Sequence, residues 1–193
     1  MTRQAVSTER LNGDERRPDP GGPPDAADRR ILAALQADGR ATYAEIGALV
    51  GLSAPSVHER VRKLQRRGVL AGFTATLRAD ALGFGILAFV GVVQDSSGEW
   101  HALARHFATI PEVDECHHVA GDEDFLLKVR ARDTHHLEGI LNTIQASRHV
   151  ATTRTTVVLS TAFAGRGVPL QEVAEAPDTA PGPDLETDTR VGA

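Results

Sequence analysis

Cationic side chains are concentrated in one short stretch, residues 53–67, with a single carboxylate among them at Glu59. The cations are Arg60, Arg62, Lys63, Arg66 and Arg67. Guanidinium and ammonium groups bind phosphate oxygens, and an arginine also makes bidentate hydrogen bonds to guanine. The chemistry that this stretch favours is the recognition of a nucleic acid.

A helix over this stretch separates an apolar stripe from a polar face. At 100° per residue Val57, Val61 and Leu64 fall together, while the polar side chains point away. Ser53 and the backbone amides at the helix start suit a phosphate, and Ser56 and Glu59 lie near enough to this end to reach base edges. We therefore predict the DNA-contacting residues Ser53, Ser56, Glu59, Arg60, Arg62, Lys63, Arg66 and Arg67, with Arg60 at the flank.

Two shorter helical patterns precede this segment and position it. Residues 25–38 carry an apolar stripe that Gly39 ends, and Thr42 to Glu45 fits a capping box that opens a second helix. Gly51 stops that helix, and Ser53 caps the third. Three helices with a tight glycine turn predict a helix-turn-helix, and the alternating residues 73–77 predict the strand of a wing.

The net charge of the 193-residue chain is −5, which by itself argues against a nucleic-acid partner. Residues 28–72, however, hold eight arginines and lysines against four acids, so this segment alone is about +4. The local patch, rather than the total, is what a DNA duplex would meet.

Past Gly83 the pattern changes to strands and two helices in the order βαββαβ, which is the ferredoxin-like arrangement. The predicted elements are strands at 86–94, 113–119, 124–131 and 152–161 and helices at 99–110 and 134–147. The fold class is therefore α+β, a winged helix-turn-helix followed by a ferredoxin-like domain. Both alternating sets of residues 86–93 are apolar, although two helices cover only one face of the sheet. We expect a second copy of the chain to cover the other face, giving a homodimer; the alternative is that the chain's own arms cover it.

Proline, glycine and charged residues dominate both ends of the chain, a composition that favours disorder. The predicted organisation is an arm at 1–24, the DNA-binding domain and linker at 25–84, the ferredoxin-like domain at 85–164 and an acidic tail at 165–193. One cysteine, and no apolar stretch long enough to span a bilayer, indicate a cytoplasmic protein without a membrane partner.

Two sets of motifs, in the order and at the separation expected, resemble the Lrp/AsnC family of transcriptional regulators. The N-terminal set is DRRIL at 28–32, DGR at 38–40, VGLS at 50–53, ERVRKL at 59–64, GVL at 68–70 and GFTA at 72–75. The second is ECHHVAGDEDFLLK at 115–128. The resemblance implies a sequence-specific regulator of transcription that binds double-stranded DNA, forms dimers and often octamers, and responds to an amino acid or a related small molecule.

The turn at residues 121–124 has two interpretations. Gly and Asp suit a hairpin turn for backbone reasons alone. The resemblance instead implies an effector site, in which amides around Gly121 hold a carboxylate and Asp122 or Asp124 holds an ammonium group. Thr153 and Thr155 would add hydroxyl groups. His118, where an apolar residue is expected, and Glu123 depart from the family pattern.

The eight histidines and Cys116 do not form a convincing metal or nucleophile pattern, so we expect no metal, no cofactor and no enzymatic activity. Cys116 is expected to be a small buried residue. An enzyme on the same architecture, resembling the sirohaem decarboxylases and using His117 and His118, stays an alternative. A third hypothesis is a ligand-binding module that has lost DNA recognition.

Overall fold

The computed structural model describes residues 22–95 and 100–170. Among these residues the chain forms two compact units, one of residues 22–70 with 166–170 and one of residues 71–165. We call them the helix-turn-helix unit and the sheet unit. The predicted arm and tail lie for the most part outside the described residues. No helix among the described residues has the length and apolarity that crossing a membrane requires.

Three helices form the helix-turn-helix unit: α1 (Ala26–Ala37), α2 (Tyr43–Val50) and α3 (Ala54–Arg66). Each begins where the sequence predicts, because Asp25, Thr42 and Ser53 accept hydrogen bonds from backbone amides of the first turns. The Thr42–Glu45 capping box is formed in both directions. The apolar stripes meet in a core of Ile31, Leu35, Ile46, Val57 and Val61.

The turn between α2 and α3 depends on two glycines. Gly51 has φ of 75°, a left-handed conformation that favours glycine, and it ends α2 as predicted. Gly47, inside α2, is buried, and a Cβ atom on it would overlap the Leu52 carbonyl oxygen. The Leu52 N–H donates to the Gly47 carbonyl oxygen at 2.9 Å. The turn therefore packs against α2 so closely that no side chain fits between them.

The predicted wing strand is not present. Residues 73–77, all of which the structure describes, form no strand, and Phe73 and Leu77 are 52% and 71% exposed. A strand exists only when its amides and carbonyls pair with a second strand, and residues 22–95 and 100–170 offer none to this segment. The helix-turn-helix is formed without its wing. α1 ends at Ala37 with an extended C-cap residue, Asp38, so Gly39 follows the helix at the position where the sequence predicts its end.

The sheet unit has the predicted βαββαβ order: β1 (Ile86–Gln94), α4 (Trp100–Ala108), β2 (Val113–His118), β3 (Phe125–Ala131), α5 (Thr134–Gln145) and β4 (Val150–Val157). The strands form an antiparallel sheet of order β2-β3-β1-β4. β4 ends earlier than predicted because Val157 already pairs with Ala88, close to where β1 begins. Pro111 disfavours helix at Ile110, so α4 also ends early.

One face of the sheet is covered by both helices. Ala88, Val90 and Val92 of β1 are fully buried there and pack in a core with Phe107 of α4 and Ile144 of α5. The other face, which we call the open face, carries the alternate residues Leu87, Phe89, Gly91, Val93 and Leu126. Leu126 is 37% exposed, and Leu87, Phe89 and Val93 are half-buried.

Candidate DNA interface and effector site

The outward face of α3 presents cations that the unit itself does not use. Arg62 and Lys63 are exposed, and within the described residues neither side chain makes a hydrogen bond or an ion pair. Arg66 pairs with Glu59 at 3.2 Å, about two turns back along the helix, and both side chains remain more than half exposed. Arg62 and Lys63 are therefore the cations of α3 best placed to bind a phosphate.

Ser53 and Ser56 lie together at the start of α3. Their hydroxyl oxygens are 2.8 Å apart, and the Ser56 N–H donates to the Ser53 hydroxyl oxygen at 3.3 Å. Both residues are exposed. The cap therefore leaves the helix N-terminus open to solvent, where a phosphate binds favourably.

Arg60 forms ion pairs inside the helix-turn-helix unit. Its guanidinium donates to Asp25 at 2.8 Å and to Asp28 at 2.7 Å, and both carboxylates belong to the start of α1. The hydrogen bond from Arg60 is the main reason that the pKa of Asp25 lies below its ordinary value of 3.8. The Asp28 side chain is only 8% exposed. Arg60 thus holds α3 against α1, while its side chain, predicted at the flank of the DNA-contacting face, remains 35% exposed.

Arg67 is also engaged inside the unit, since its guanidinium donates to the Gly22 carbonyl oxygen. This contact ties the end of α3 to the residues before α1, and the predicted DNA contact of Arg67 stays a prediction. Two contacts that sequence reasoning missed also shape this surface. The Tyr43 and His58 rings lie 5.3 Å apart and join α2 to α3. The only signal for the Gly47 contact in the sequence is the presence of a glycine inside a helix, since glycine is disfavoured there unless close packing requires it.

The predicted effector turn is tied to the end of β1. The Asp124 N–H donates to the Val92 carbonyl oxygen at 2.9 Å, and the Asp124 carboxylate accepts from the Gln94 N–H at 2.7 Å. Gly121 and Asp122 are exposed, and a Cβ atom on Gly121 would meet no atom within 4 Å. Asp124 therefore has a structural task in the turn, while Gly121 and Asp122 face solvent.

Thr153 and Thr155 do not join this turn in the single chain. They pair with Val92 and Val90, so they share the helix-covered side of the sheet, and the Thr153 hydroxyl accepts a hydrogen bond from Gln145 of α5 at 2.7 Å. Asp124 lies across β1 from Thr153, about 10 Å away as two interstrand spacings. In this chain β1 therefore separates the two residues.

The structure brings Glu123 and Arg154 together instead. The Arg154 guanidinium lies 3.2 Å from the Glu123 carboxylate, and Glu123 crosses the open face directly above Gly91. A Cβ atom on Gly91 would lie 2.6 Å from the Glu123 Cγ atom. The sequence marks Glu123 as an unusual charge, but the register of β4 is needed to find its partner.

The candidate catalytic residues do not converge. His117 faces the open side, 3.3 Å from Glu115, whereas His118 faces the helix side and stacks on Trp100 with ring centroids 5.2 Å apart. This stacking explains how a histidine replaces the expected apolar residue. Among residues 22–95 and 100–170, no three histidine, cysteine or acidic side chains are placed to hold a metal ion.

Cys116 is exposed on the edge strand β2, which corrects the expectation of a buried residue. An edge strand has a neighbour on one side only, so its side chains lose less contact with water. Desolvation nevertheless raises the pKa of the Cys116 thiol to about 11. The thiol is therefore protonated near neutral pH and is a poor nucleophile.

Two family descriptions match the chain. Residues 25–65 match the AsnC-type helix-turn-helix domain, and residues 87–168 match the Lrp/AsnC ligand binding domain. The two matches correspond to the regions in which the structure has its three helices and its four-stranded sheet.

Relatives of known name match over most of their length. The HTH-type transcriptional regulator FL11 from Pyrococcus horikoshii is 37% identical over 139 residues, covering 72% of this chain and 91% of that protein. LrpA from Mycobacterium tuberculosis is 39% identical over 143 residues, covering 74% of this chain and 94% of that protein. Both are named as transcriptional regulators, and neither name supports the decarboxylase alternative.

Solved structures agree with these relatives. AsnC from E. coli superposes with a TM-score of 0.69 at 27% identity, over 73% of this chain and 95% of that one. The feast or famine regulatory protein Rv3291c from M. tuberculosis, complexed with L-methionine, superposes with a TM-score of 0.71 at 36% identity, over 75% of this chain and 97% of that one. On the combined evidence of sequence, fold and relatives, this chain belongs to the Lrp/AsnC family of transcriptional regulators.

Proposed function

We propose that α3 is the helix with which this regulator contacts DNA. The observation that carries the proposal is the pair of exposed cations, Arg62 and Lys63, which have no partner among the described residues and stand on a helix whose other face is fixed in the core. Ser53, Ser56, Glu59 and Arg66 surround them on the same exposed surface. Arg60 and Arg67 support the helix from inside the unit.

A gel-shift titration with the promoter region of the chain's own gene tests this proposal. Arg62→Ala and Lys63→Ala are each expected to weaken binding and to lower the salt dependence of the affinity by about one phosphate contact. Arg105→Ala removes an exposed arginine from α4 and serves as the matched control. Unchanged affinity and salt slope in both α3 variants would contradict the assignment.

We propose that two copies present their α3 helices together, because the open faces of their sheets pack against each other. The open face has an apolar centre of Leu87, Phe89, Val93 and Leu126, which is unusual for a sheet that meets water. Equilibrium sedimentation of Leu126→Lys tests the interface, with Leu159→Lys, at a 98% exposed position, as the control. A Leu126→Lys chain that self-associates like the wild type would contradict it.

We propose an amino acid as the effector, acting in the cytoplasm. The proposal is supported by the match to a ligand binding domain and by the L-methionine complexes of Rv3291c and of NMB0573 from Neisseria meningitidis. Within this chain Gly121 and Asp122 are exposed, and they are our candidates for binding the carboxylate and the ammonium group of the effector. Asp124 holds the turn in place. Thr153 and Thr155 would contact the effector only in an assembly of several copies. A thermal-shift screen of the twenty amino acids tests it, since a ligand of the folded state raises the Tm. Asp122→Asn is expected to abolish the shift, and a wild-type chain that no amino acid stabilises would contradict the proposal.

A further inference from the structure

The carboxylates of the helix-turn-helix unit are all engaged, whereas two neighbouring cations of α3 are not. Residues 22–70 contain eight arginines and lysines against five acids. Each acid accepts a hydrogen bond within the unit: Asp25 and Asp28 from Arg60, Asp38 from the Arg40 N–H, Glu45 from Thr42, and Glu59 from Arg66. Arg62 and Lys63 stay exposed, and their side chains have no anion among the described residues.

The chain itself contains an anion that matches this surface. Residues 171–193, which we call the acidic segment, lie outside the described residues and contain six acids against one arginine. The acids are Glu172, Glu175, Asp178, Asp184, Glu186 and Asp188. Residues 1–21 differ, because their four acids and four arginines give no net charge. Charge complementarity with α3 therefore favours the acidic segment over the other end of the chain.

The acidic segment begins on the helix-turn-helix unit. Residues 166–170, which precede it, belong to this unit. The Gln36 amide of α1, in the orientation that satisfies both of its polar atoms, donates to the Val168 carbonyl oxygen at 3.2 Å and accepts from the Val168 N–H at 3.1 Å. The attachment point and α3 thus lie in one unit, so a contact between the acidic segment and α3 does not depend on the position of the sheet unit.

The acidic segment is long enough to reach α3. A compact unit of about 50 residues has a radius of gyration of about 10 Å, so its whole surface lies within roughly 25 Å of an attachment point. An extended chain covers about 3.3 Å per residue, so residue 178 can already lie about 26 Å from residue 170. Tethering at this length gives an effective concentration on the order of millimolar at the surface of α3.

We propose that the acidic segment, residues 171–193, binds the outward face of α3 and competes there with the DNA backbone. The competition rests on the proposed function, in which Arg62 and Lys63 bind phosphates, whereas the binding of the segment does not. Carboxylates pair with the same guanidinium and ammonium groups as phosphates do. A duplex carries one charge per about 1.7 Å of its axis, a much higher charge density than six carboxylates over 23 residues, so DNA displaces the segment. The segment lowers the affinity for DNA by a factor that decreases as salt screens the ion pairs.

The rate of lysine acetylation tests the binding of the segment in the full chain, without DNA. The chain has two lysines: Lys63 on the outward face of α3, and Lys128 in the sheet unit, where it pairs with Glu115 at 2.6 Å. A bound segment shields Lys63 from N-hydroxysuccinimide acetate, and peptide mass spectrometry measures the rate at each lysine. Lys128 is the internal reference, because the proposal predicts no change there.

Two variants with matched losses of charge separate local binding from an effect of net charge. The segment variant carries Glu172→Gln, Glu175→Gln, Asp184→Asn and Asp188→Asn, and the arm variant carries Glu9→Gln, Glu15→Gln, Asp14→Asn and Asp19→Asn. At about 0.05 M salt we expect Lys63 to react about fivefold faster in the segment variant than in the wild type, and the arm variant to react like the wild type. At about 1 M salt, where the screening length is about 3 Å, all three should react alike. Equal Lys63 rates in the wild type and the segment variant, or an equal gain in the arm variant, would overturn the binding.

Gel-shift titrations with the promoter region of the chain's own gene test the competition. At about 0.05 M salt we expect the segment variant to bind about fivefold more tightly than the wild type, and the arm variant to bind within twofold of the wild type. At about 0.3 M salt the gain of the segment variant should fall below twofold. Shielding of Lys63 together with equal DNA affinity in the wild type and the segment variant would overturn the competition. If none of the three proteins binds the duplex, the proposed function fails, and the acetylation rates still decide whether the segment binds α3.

Discussion

Replacement of Arg60 by alanine is expected to destabilise the helix-turn-helix unit, and not only to lower its affinity for DNA. The Arg60 guanidinium donates at 2.7 Å to Asp28, whose side chain is 8% exposed, and at 2.8 Å to Asp25, whose side chain is 56% exposed. Hydrogen bonds to a charged, buried partner contribute about 1.5–3 kcal/mol, and exposed ion pairs about 0.2–1 kcal/mol. Their loss leaves the Asp28 carboxylate without its cation, so we expect the free energy of unfolding of this unit to fall by about 3 kcal/mol.

Hydrogen exchange along α1 and α3 measures this loss where it occurs, because local opening is read residue by residue. A decrease of about 3 kcal/mol corresponds to roughly a hundredfold faster exchange of the core amides in these helices. Arg62→Ala is the matched control, since Arg62 has no partner among the described residues and surface substitutions stay within about 0.5 kcal/mol.

The two variants should also differ on DNA. Arg62→Ala is expected to lower the affinity and the salt slope while leaving exchange unchanged. Arg60→Lys keeps the charge but cannot donate to both carboxylates in the same fork geometry, so its exchange should lie between the wild type and Arg60→Ala. The reasoning is refuted if Arg60→Ala exchanges within threefold of the wild type and behaves on DNA like Arg62→Ala.

The remaining predictions concern Gly47, with Gly139 as its control, Gly91, and the dependence of stability on pH. Gly47→Ala should destabilise the chain by about 1–3 kcal/mol in urea titrations, because its Cβ overlaps the Leu52 carbonyl oxygen, whereas Gly139→Ala, in open space on α5, should stabilise it by up to about 1 kcal/mol; a gain in both would contradict the packing of the turn. Gly91→Ala should displace Glu123 and break its pair with Arg154 at a cost of about 1 kcal/mol, and an unchanged Glu123 position in a crystal structure of the variant would count against this. The pKa of Asp25 is lowered by Arg60 and that of Glu45 by the Thr42 backbone N–H, from ordinary values of 3.8 and 4.5, so both stabilise the unit fully above those values and lose their contribution as the pH falls through the lowered ones. Urea titrations should therefore give a constant stability above about pH 5 and a decline below about pH 4 that is shallower in Glu45→Gln; a decline of equal depth would contradict the role of Glu45.

Periodicity and capping chemistry were sufficient to predict the helices and the βαββαβ order of elements along the chain. The stripe of Val57 and Val61 and the cap at Ser53 are local signals, and α3 follows them closely. The same local signals misled at residues 73–77, where alternation is present but the hydrogen-bonding partner that makes a strand is not. A strand forms only when two segments pair, and the sequence of one segment does not show whether a pairing segment is present.

The candidate site residues likewise fall into two groups: those that local periodicity predicts and those whose contacts depend on tertiary packing. Arg62 and Lys63, whose side chains have no partner in the part of the chain that the structure describes, lie on the surface where a helical wheel places them. Arg60 and Asp28 are thirty-two positions apart, and their contact depends on how α3 crosses α1, which no periodicity within either helix reveals. Thr153 and Asp124, which the resemblance to the family implies are in one effector site, lie on opposite sides of β1 in the single chain.

Three ion pairs cross the strands of the open face around its apolar centre: Lys128 with Glu115, Arg130 with Asp114, and Arg154 with Glu123. Each cation there is already neutralised by a carboxylate of its own chain, so a surface approaching this face meets little net charge. Arg62 and Lys63 of α3, by contrast, pair with no carboxylate among the described residues, so their binding to a duplex releases solution counterions without breaking an ion pair there. If two copies pack through this face as proposed, added salt should release the protein from DNA well before it separates the two copies, so the protein would leave its operator as a dimer.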